Sequence, residues 1–173
     1  MGHFEVKKIF FDMDGVLADF DRGIIELCKL EPMPQNLKPR NEEKEIEMWG
    51  KVKEVGHFYD KLEPIPGAKE MFDAVYSRYG EKCEILTGIP KPWREIVTAA
   101  EDKVNWMRRL FSETVKINTV LRAEKKNFCT GKDCILIDDY VKNTKEWTEI
   151  GGTAILFTNA EEAIKVMKEM GIL

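Results

Sequence analysis

Five short apolar runs, at residues 6–11, 83–86, 115–120, 134–137 and 153–157, alternate with longer stretches in which apolar residues recur at helical spacing. No other feature narrows the choice of fold as much. Runs of that length read as strands, the stretches between them as crossover helices, and strands joined in this way lie parallel in one sheet. The helical pattern is plainest at 68–78, where Met71, Phe72, Val75 and Tyr76 share a face. Residues 93–111 form a long amphipathic stretch, and 143–150 and 160–170 complete the set. The expected fold is α/β, a three-layer domain around a parallel sheet of about five strands. A length of 173 residues fits one domain, or one core with a modest insertion. A hydrophobic fraction of 43% against 34% charged residues is enough to bury a core and excludes disorder by composition.

One segment interrupts the alternation. Between about 20 and 62 no strand is evident. Residues 20–30 are helical in pattern, EPMPQNLKPR at 31–40 is Pro-rich and turn-like, and 41–55 is helical again, with Ile46, Trp49 and Val52 assigned to one face. LEPIPG at 62–67 leads back into the next helix. The expected division is a core of residues 1–18 and 63–173 with a small helical insertion at 19–62.

The net charge of −4 argues against a nucleic-acid polymer as partner, because polymer binding needs a basic face. It leaves room for a small anion held by a local cluster of positive charge. Cys28, Cys83, Cys129 and Cys134 form no C-x-x-C pair and read as ordinary thiols in a reducing compartment. With no signal-like segment and no run long enough to span a membrane, the expected location is the cytoplasm.

In open parallel sheets, ligands bind at the carboxyl ends of the strands. Here those ends carry Asp12-Met13-Asp14-Gly15, Thr87-Gly88 and Asp138-Asp139, with Lys103 in the helix after the second run. A carboxylate can attack phosphorus and split one difficult step into two. A second carboxyl two residues on points to the same side of an extended chain, where it can protonate the leaving oxygen and later activate water. Two neighbouring carboxylates raise one pKa, which keeps the acid protonated. Carboxylate and phosphate repel each other, so a cation is required, and an oxygen-rich site of this kind suits Mg2+. The hydroxyl and backbone N–H of Thr87-Gly88 can hold phosphate oxygens, and Lys103 can neutralise remaining charge. Each motif alone has a plainer reading, as a turn, a helix cap or a solvated helix face. Their order and spacing together carry the functional one.

FFDMDGVLADF at 10–20, ILTG at 85–88, KVNW at 103–106 and LIDD at 136–139 resemble the four motifs of the haloacid dehalogenase superfamily of phosphatases, over nearly the whole chain. DMDGVLADF, LEPIPGA and the K-x-x-W spacing resemble, more narrowly, its 5'(3')-deoxyribonucleotidase branch. The resemblance implies a Rossmann-like core with a helical cap. It also implies Asp12 as nucleophile and metal ligand, and Asp14 as general acid/base with its carbonyl on the metal. Thr87 and Gly88 would bind phosphate, and Lys103 would touch both phosphate and nucleophile. Asp139 would be the direct Mg2+ ligand, with Asp138 behind it. Lys125 stands near where that branch often has a further phosphate-side lysine, but its spacing to LIDD is longer and it is not assigned to the site. The branch commonly has Ser and Pro after the second-motif Thr, whereas this chain reads TGIP.

The implied substrate is a small phosphate ester, a nucleoside monophosphate before others. Stacking a base needs flat apolar surfaces, and Phe20, Trp49, Phe58 and Tyr59 are the candidates, each with core packing as the alternative. His57 reads as a surface histidine. Other readings are a sugar phosphatase, a phosphotransferase, a receiver domain and a non-catalytic nucleotide-binding relative. The order of the acidic motifs disfavours the receiver domain, and the presence of both Asp12 and Asp14 disfavours the non-catalytic relative.

Overall fold

The computed structural model describes residues 5–173. Its strands are β1 (Lys8–Phe11), β2 (Cys83–Ile89), β3 (Lys116–Leu121), β4 (Cys134–Asp138) and β5 (Thr153–Leu156), all parallel in the order β3-β2-β1-β4-β5. The helices are α1 (Phe20–Cys28), α2 (Glu42–Val55), α3 (Ala68–Tyr79), α4 (Ala99–Leu110), α5 (Val141–Glu149) and α6 (Ala160–Glu169). The strand order reverses direction between β1 and β4, so a crevice opens where the ends of those two strands meet.

Alternate residues of each strand face opposite layers. Ile9, Phe11, Ile85, Ile135 and Ile137 join one buried cluster with Phe72 of α3, Trp106 of α4 and Met167 of α6. Phe10, Leu86, Cys134 and Leu136 join the other with Trp147 of α5. Both buried tryptophans satisfy their indole N–H, Trp106 on the Leu62 carbonyl at 2.8 Å and Trp147 on that of Cys134 at 3.0 Å. Side chains cap three helix starts: Asp19 on Arg22 N–H in α1, Asn41 on Lys44 N–H in α2 and Asn159 on Glu162 N–H in α6. Each such cap contributes about 1 kcal/mol.

The helical insertion leaves and rejoins the core through a narrow neck. The Asp19 N–H donates to the Glu63 carbonyl and the Ile65 N–H to that of Leu17, each at 2.8 Å. Above the neck α1 packs closely on the return segment, because Gly23 leaves room there. A Cβ at that position would come within 2.3 Å of Leu62 Cδ2.

Three local expectations change. β2 runs on to Ile89, so Thr87 and Gly88 lie within a strand; β3 reaches further than β1 and pairs Thr87 with Thr119 and Gly88 with Val120. The stretch 93–111 is not one helix. A short 3-10 turn at Pro92–Arg94 ends at left-handed Glu95, and α4 begins only at Ala99, after the β-branched run Ile96-Val97-Thr98. In α2 the inner face is Met48 and Val52, with Trp49 half-buried and Ile46 64% exposed. Positions 46, 49 and 52 drift around the helix, whereas 48 and 52 stack one turn apart.

Candidate active site

The Asp12 N–H donates to the Ile137 carbonyl at 2.9 Å, which seats Asp12 directly past β1 and beside the end of β4. The chain then turns sharply, with the Leu17 and Ala18 N–H groups both on the Met13 carbonyl. Gly15 holds a φ of 81°, and a Cβ there would lie 1.9 Å from Asp139 Oδ2. The turn therefore requires glycine twice over, for its backbone and for the carboxylate pressed against it.

Oxygens of Asp12, Asp138 and Asp139 all lie within 4.8 Å of one another. Lys125 reaches between them, its Nζ 2.8 Å from both Asp12 Oδ1 and Asp138 Oδ2. Asp138 is held further by the Tyr140 N–H at 2.9 Å and by Asn143 Nδ2 at 3.0 Å, and Arg122 in turn orients Asn143. One lysine cannot balance three carboxylates. Burial, then the charges of Asp12 and Asp138, holds the Asp139 carboxyl well above the ordinary range. Burial and Asp12 raise Asp138 as well, against the pull of Lys125. Burial works against the Lys125 charge, but Asp12 and Asp138 outweigh it and push its pKa up. Asp139 Oδ1 is buried with no hydrogen-bond partner. A compact all-oxygen donor set with excess negative charge and an orphaned carboxylate oxygen fits a hard divalent cation.

The second half of the site surrounds Lys103, which is fully buried. Its Nζ donates to Asp14 Oδ2 at 2.7 Å, Thr87 Oγ1 at 2.9 Å and the Gly88 carbonyl at 2.6 Å, and sits 4.5 Å from the Tyr59 ring centroid. Burial and the nearby Asp14 charge push the Tyr59 phenol up. Asp14 Oδ1 is left without a partner. Behind Lys103, Asp102 is buried on the same helix, and its Oδ1 lies 2.8 Å from Nδ1 of His57, which takes a left-handed φ of 52° at the exit of α2.

Of the expected residues, Asp12, Asp138 and Asp139 lie together, and Asp14, Thr87 and Gly88 meet at Lys103, with two corrections. Lys103 touches Asp14, not Asp12; the lysine on Asp12 is Lys125, carried by the 3-10 segment Arg122–Phe128 that follows β3. That segment reaches the mouth of the crevice because β3 overshoots β1. Phe58 and Tyr59 are not open stacking surfaces, each being 1% exposed. They pack against one another and against Phe20, and Tyr59 also backs Lys103. Phe20 and Trp49 remain half-open, their centroids 6.1 Å apart. Gly88 presents its carbonyl to Lys103. His57 is exposed, as expected, but not free. Asn143, Asn36 and the His57–Asp102 pair were invisible in the sequence, where nothing sets them apart from other polar surface residues. A cavity of about 650 Å³ lies in the insertion between Leu30, Met33, Leu37, Arg40, Lys44 and Met48.

This sheet order with a helical insertion after the first strand is the fold of haloacid dehalogenase-type hydrolases. The structure resembles such a hydrolase from Deinococcus radiodurans R1, solved with bound phosphate and sodium, at a TM-score of 0.60 and 14% identity over 98% of both chains. It also resembles a hydrolase from Pseudomonas syringae at a TM-score of 0.55 and 16% identity, over 95% of this chain and 90% of that one. Residues 6–167 match the family model for 5' nucleotidase, deoxy (pyrimidine), cytosolic type C protein, and the chain belongs to that family. It is also 27% identical over 150 residues to the human mitochondrial 5'(3')-deoxyribonucleotidase, over 76% of this chain. It spans 61% of that relative's length.

Proposed function

We propose that this protein is a Mg2+-dependent phosphomonoester hydrolase that works through an aspartyl-phosphate on Asp12, with nucleoside monophosphates as substrates. The observation that carries the proposal is the meeting of two differently wired carboxylates at one strand end. Asp12 is held by Lys125 beside the Asp138–Asp139 pair, and Asp14 is held by Lys103 beside Thr87. Asp12, Asp139 and the Asp14 carbonyl would hold Mg2+, with Asp138 in support. The ion would offset the repulsion between carboxylate and phosphate.

With one oxygen bound by Lys125, Asp12 attacks phosphorus with the other. A new O–P bond forms as the bond to the leaving oxygen breaks. Asp14 delivers its proton to that oxygen and releases the alcohol. Asp14 then takes a proton from water as water attacks the same phosphorus, and the bond to Asp12 breaks to yield inorganic phosphate. The Thr87 hydroxyl accepts from Lys103 and so has its own proton free for a phosphate oxygen. Phe20 and Trp49 are the aromatic faces left to meet a base. The insertion, residues 19–62, acts as the cap that reads the leaving group.

Phosphate release from nucleoside 5'- and 3'-monophosphates and sugar phosphates, with Mg2+ and with EDTA, tests the proposal. Mg2+-dependent release favouring deoxynucleotides is expected, with at least about a thousandfold loss in Asp12→Asn. Sugar phosphates far ahead of all nucleotides would overturn the substrate class. Undiminished turnover in Asp12→Asn would overturn the mechanism.

A further inference from the structure

Asn36 lies in the Pro-rich connector between α1 and α2, 103 residues before Asp139, yet it is bonded to the segment that follows β4. Its Nδ2 donates to the Asp139 carbonyl at 3.0 Å, and its Oδ1 accepts from the Val141 N–H at 2.9 Å. Val141 opens α5, and the preceding residue, Tyr140, offers that helix no side-chain cap. A helix start leaves N–H groups unpaired, and Asn is among the best residues for satisfying them. The insertion thus supplies α5 with a cap in trans, from a loop that has no regular structure of its own.

The same contact constrains Asp139. Its carbonyl is tied to Asn36, and its carboxylate is pressed against Gly15. Its neighbour Asp138 is fixed by Tyr140, Asn143 and Lys125. Without Asn36, the peptide after Asp139 keeps only its local restraints, and the backbone from which the Asp139 carboxylate projects is held by one partner fewer. Partners that orient a metal ligand from behind commonly change metal affinity by about tenfold or more when removed.

We propose that Asn36 is a positioning residue through which the insertion sets the direction of the Asp139 carboxylate, so that seating of the insertion and divalent-cation binding are coupled. This rests on the reading of Asp12, Asp138 and Asp139 as a cation site. The test is calorimetric titration of the full chain with Mg2+, without substrate, for wild type, Asn36→Ala, Asn36→Asp and Asp139→Asn, together with amide exchange at Val141. Asn36→Ala is expected to bind Mg2+ about tenfold more weakly and to exchange Val141 faster. Asn36→Asp keeps the acceptor for Val141 but loses the donor to Asp139. It is expected to restore protection at Val141 while Mg2+ affinity stays below wild type. Wild-type Mg2+ affinity in both Asn36 variants would overturn the proposal and leave the cation site intact. No Mg2+ binding by the wild type, or equal binding by Asp139→Asn, would overturn the cation site and the proposal with it.

Discussion

Lys125 touches two carboxylates that would otherwise face each other in a buried space, and it does so from a segment with no regular pattern in the sequence. Breaking a buried ion pair by removing one partner costs far more than an exposed pair is worth, about 3–5 kcal/mol, because the remaining charge is left uncompensated. Lys125→Met is therefore expected to lower cation-free stability by roughly 3 kcal/mol, read from the midpoint of denaturant unfolding. Mg2+ should restore part of that loss, since it supplies the missing positive charge. A variant as stable as wild type without the ion would show that Asp12 and Asp138 do not depend on this lysine. Lys103 is readily assigned from the sequence, whereas Lys125 stands near a family lysine position but is left unassigned there because its spacing to LIDD is longer. Lys103 sits in a motif with a fixed tryptophan spacing, whereas Lys125 sits among Lys126, Asn127 and Glu124, and only the length of β3 decides which of them turns inward.

At the scale of elements, the contact between the end of α2 and the start of α4 is a charge-dependent tie. His57 meets Asp102, and that hydrogen bond followed by the carboxylate charge raises the His57 pKa. A histidine raised in the folded state contributes stability in full below its ordinary value of about 6.5 and loses it as pH rises through the raised value. The melting temperature of His57→Gln should thus fall short of wild type at acidic pH and approach it on the alkaline side. A gap independent of pH would assign His57 a packing role alone. The elements themselves were largely legible. Short apolar runs located all five strands, and periodicity located α3, α5 and α6 to within a few residues. What was not legible depended on partners distant in sequence: the overshoot of β2 is dictated by β3, and the burial of Phe58 and Tyr59 by Phe20 and Lys103. The break before α4 was the exception, since three consecutive β-branched residues were there to be read.

For the whole molecule, the crevice at the reversal of strand order concentrates negative charge that folding alone does not compensate. Asp138 and Asp139 are both raised above the ordinary carboxylate range, so the folded state holds protons that the unfolded chain has released. Cation-free stability should therefore fall as pH climbs from about 4, and the decline should continue through neutrality. A bound divalent cation replaces those protons, so the rise in melting temperature on adding Mg2+ should grow with pH. A stabilisation by Mg2+ that shrank with pH would contradict the ligand set. The division of labour across the molecule also has a consequence at the neck. Two backbone hydrogen bonds, Asp19 to Glu63 and Ile65 to Leu17, close the base of the insertion and leave its two strands of chain side by side. That base is one of several ties, since Asn36, His57 and Asp60 of the insertion also bond to Asp139, Asp102 and Arg109 of the core. An exchanged insertion could keep both rungs and still strip Asp139, Asp102 and Lys103 of the partners that residues 36, 57 and 59 supply, so its length and sequence are not free to drift independently of the core.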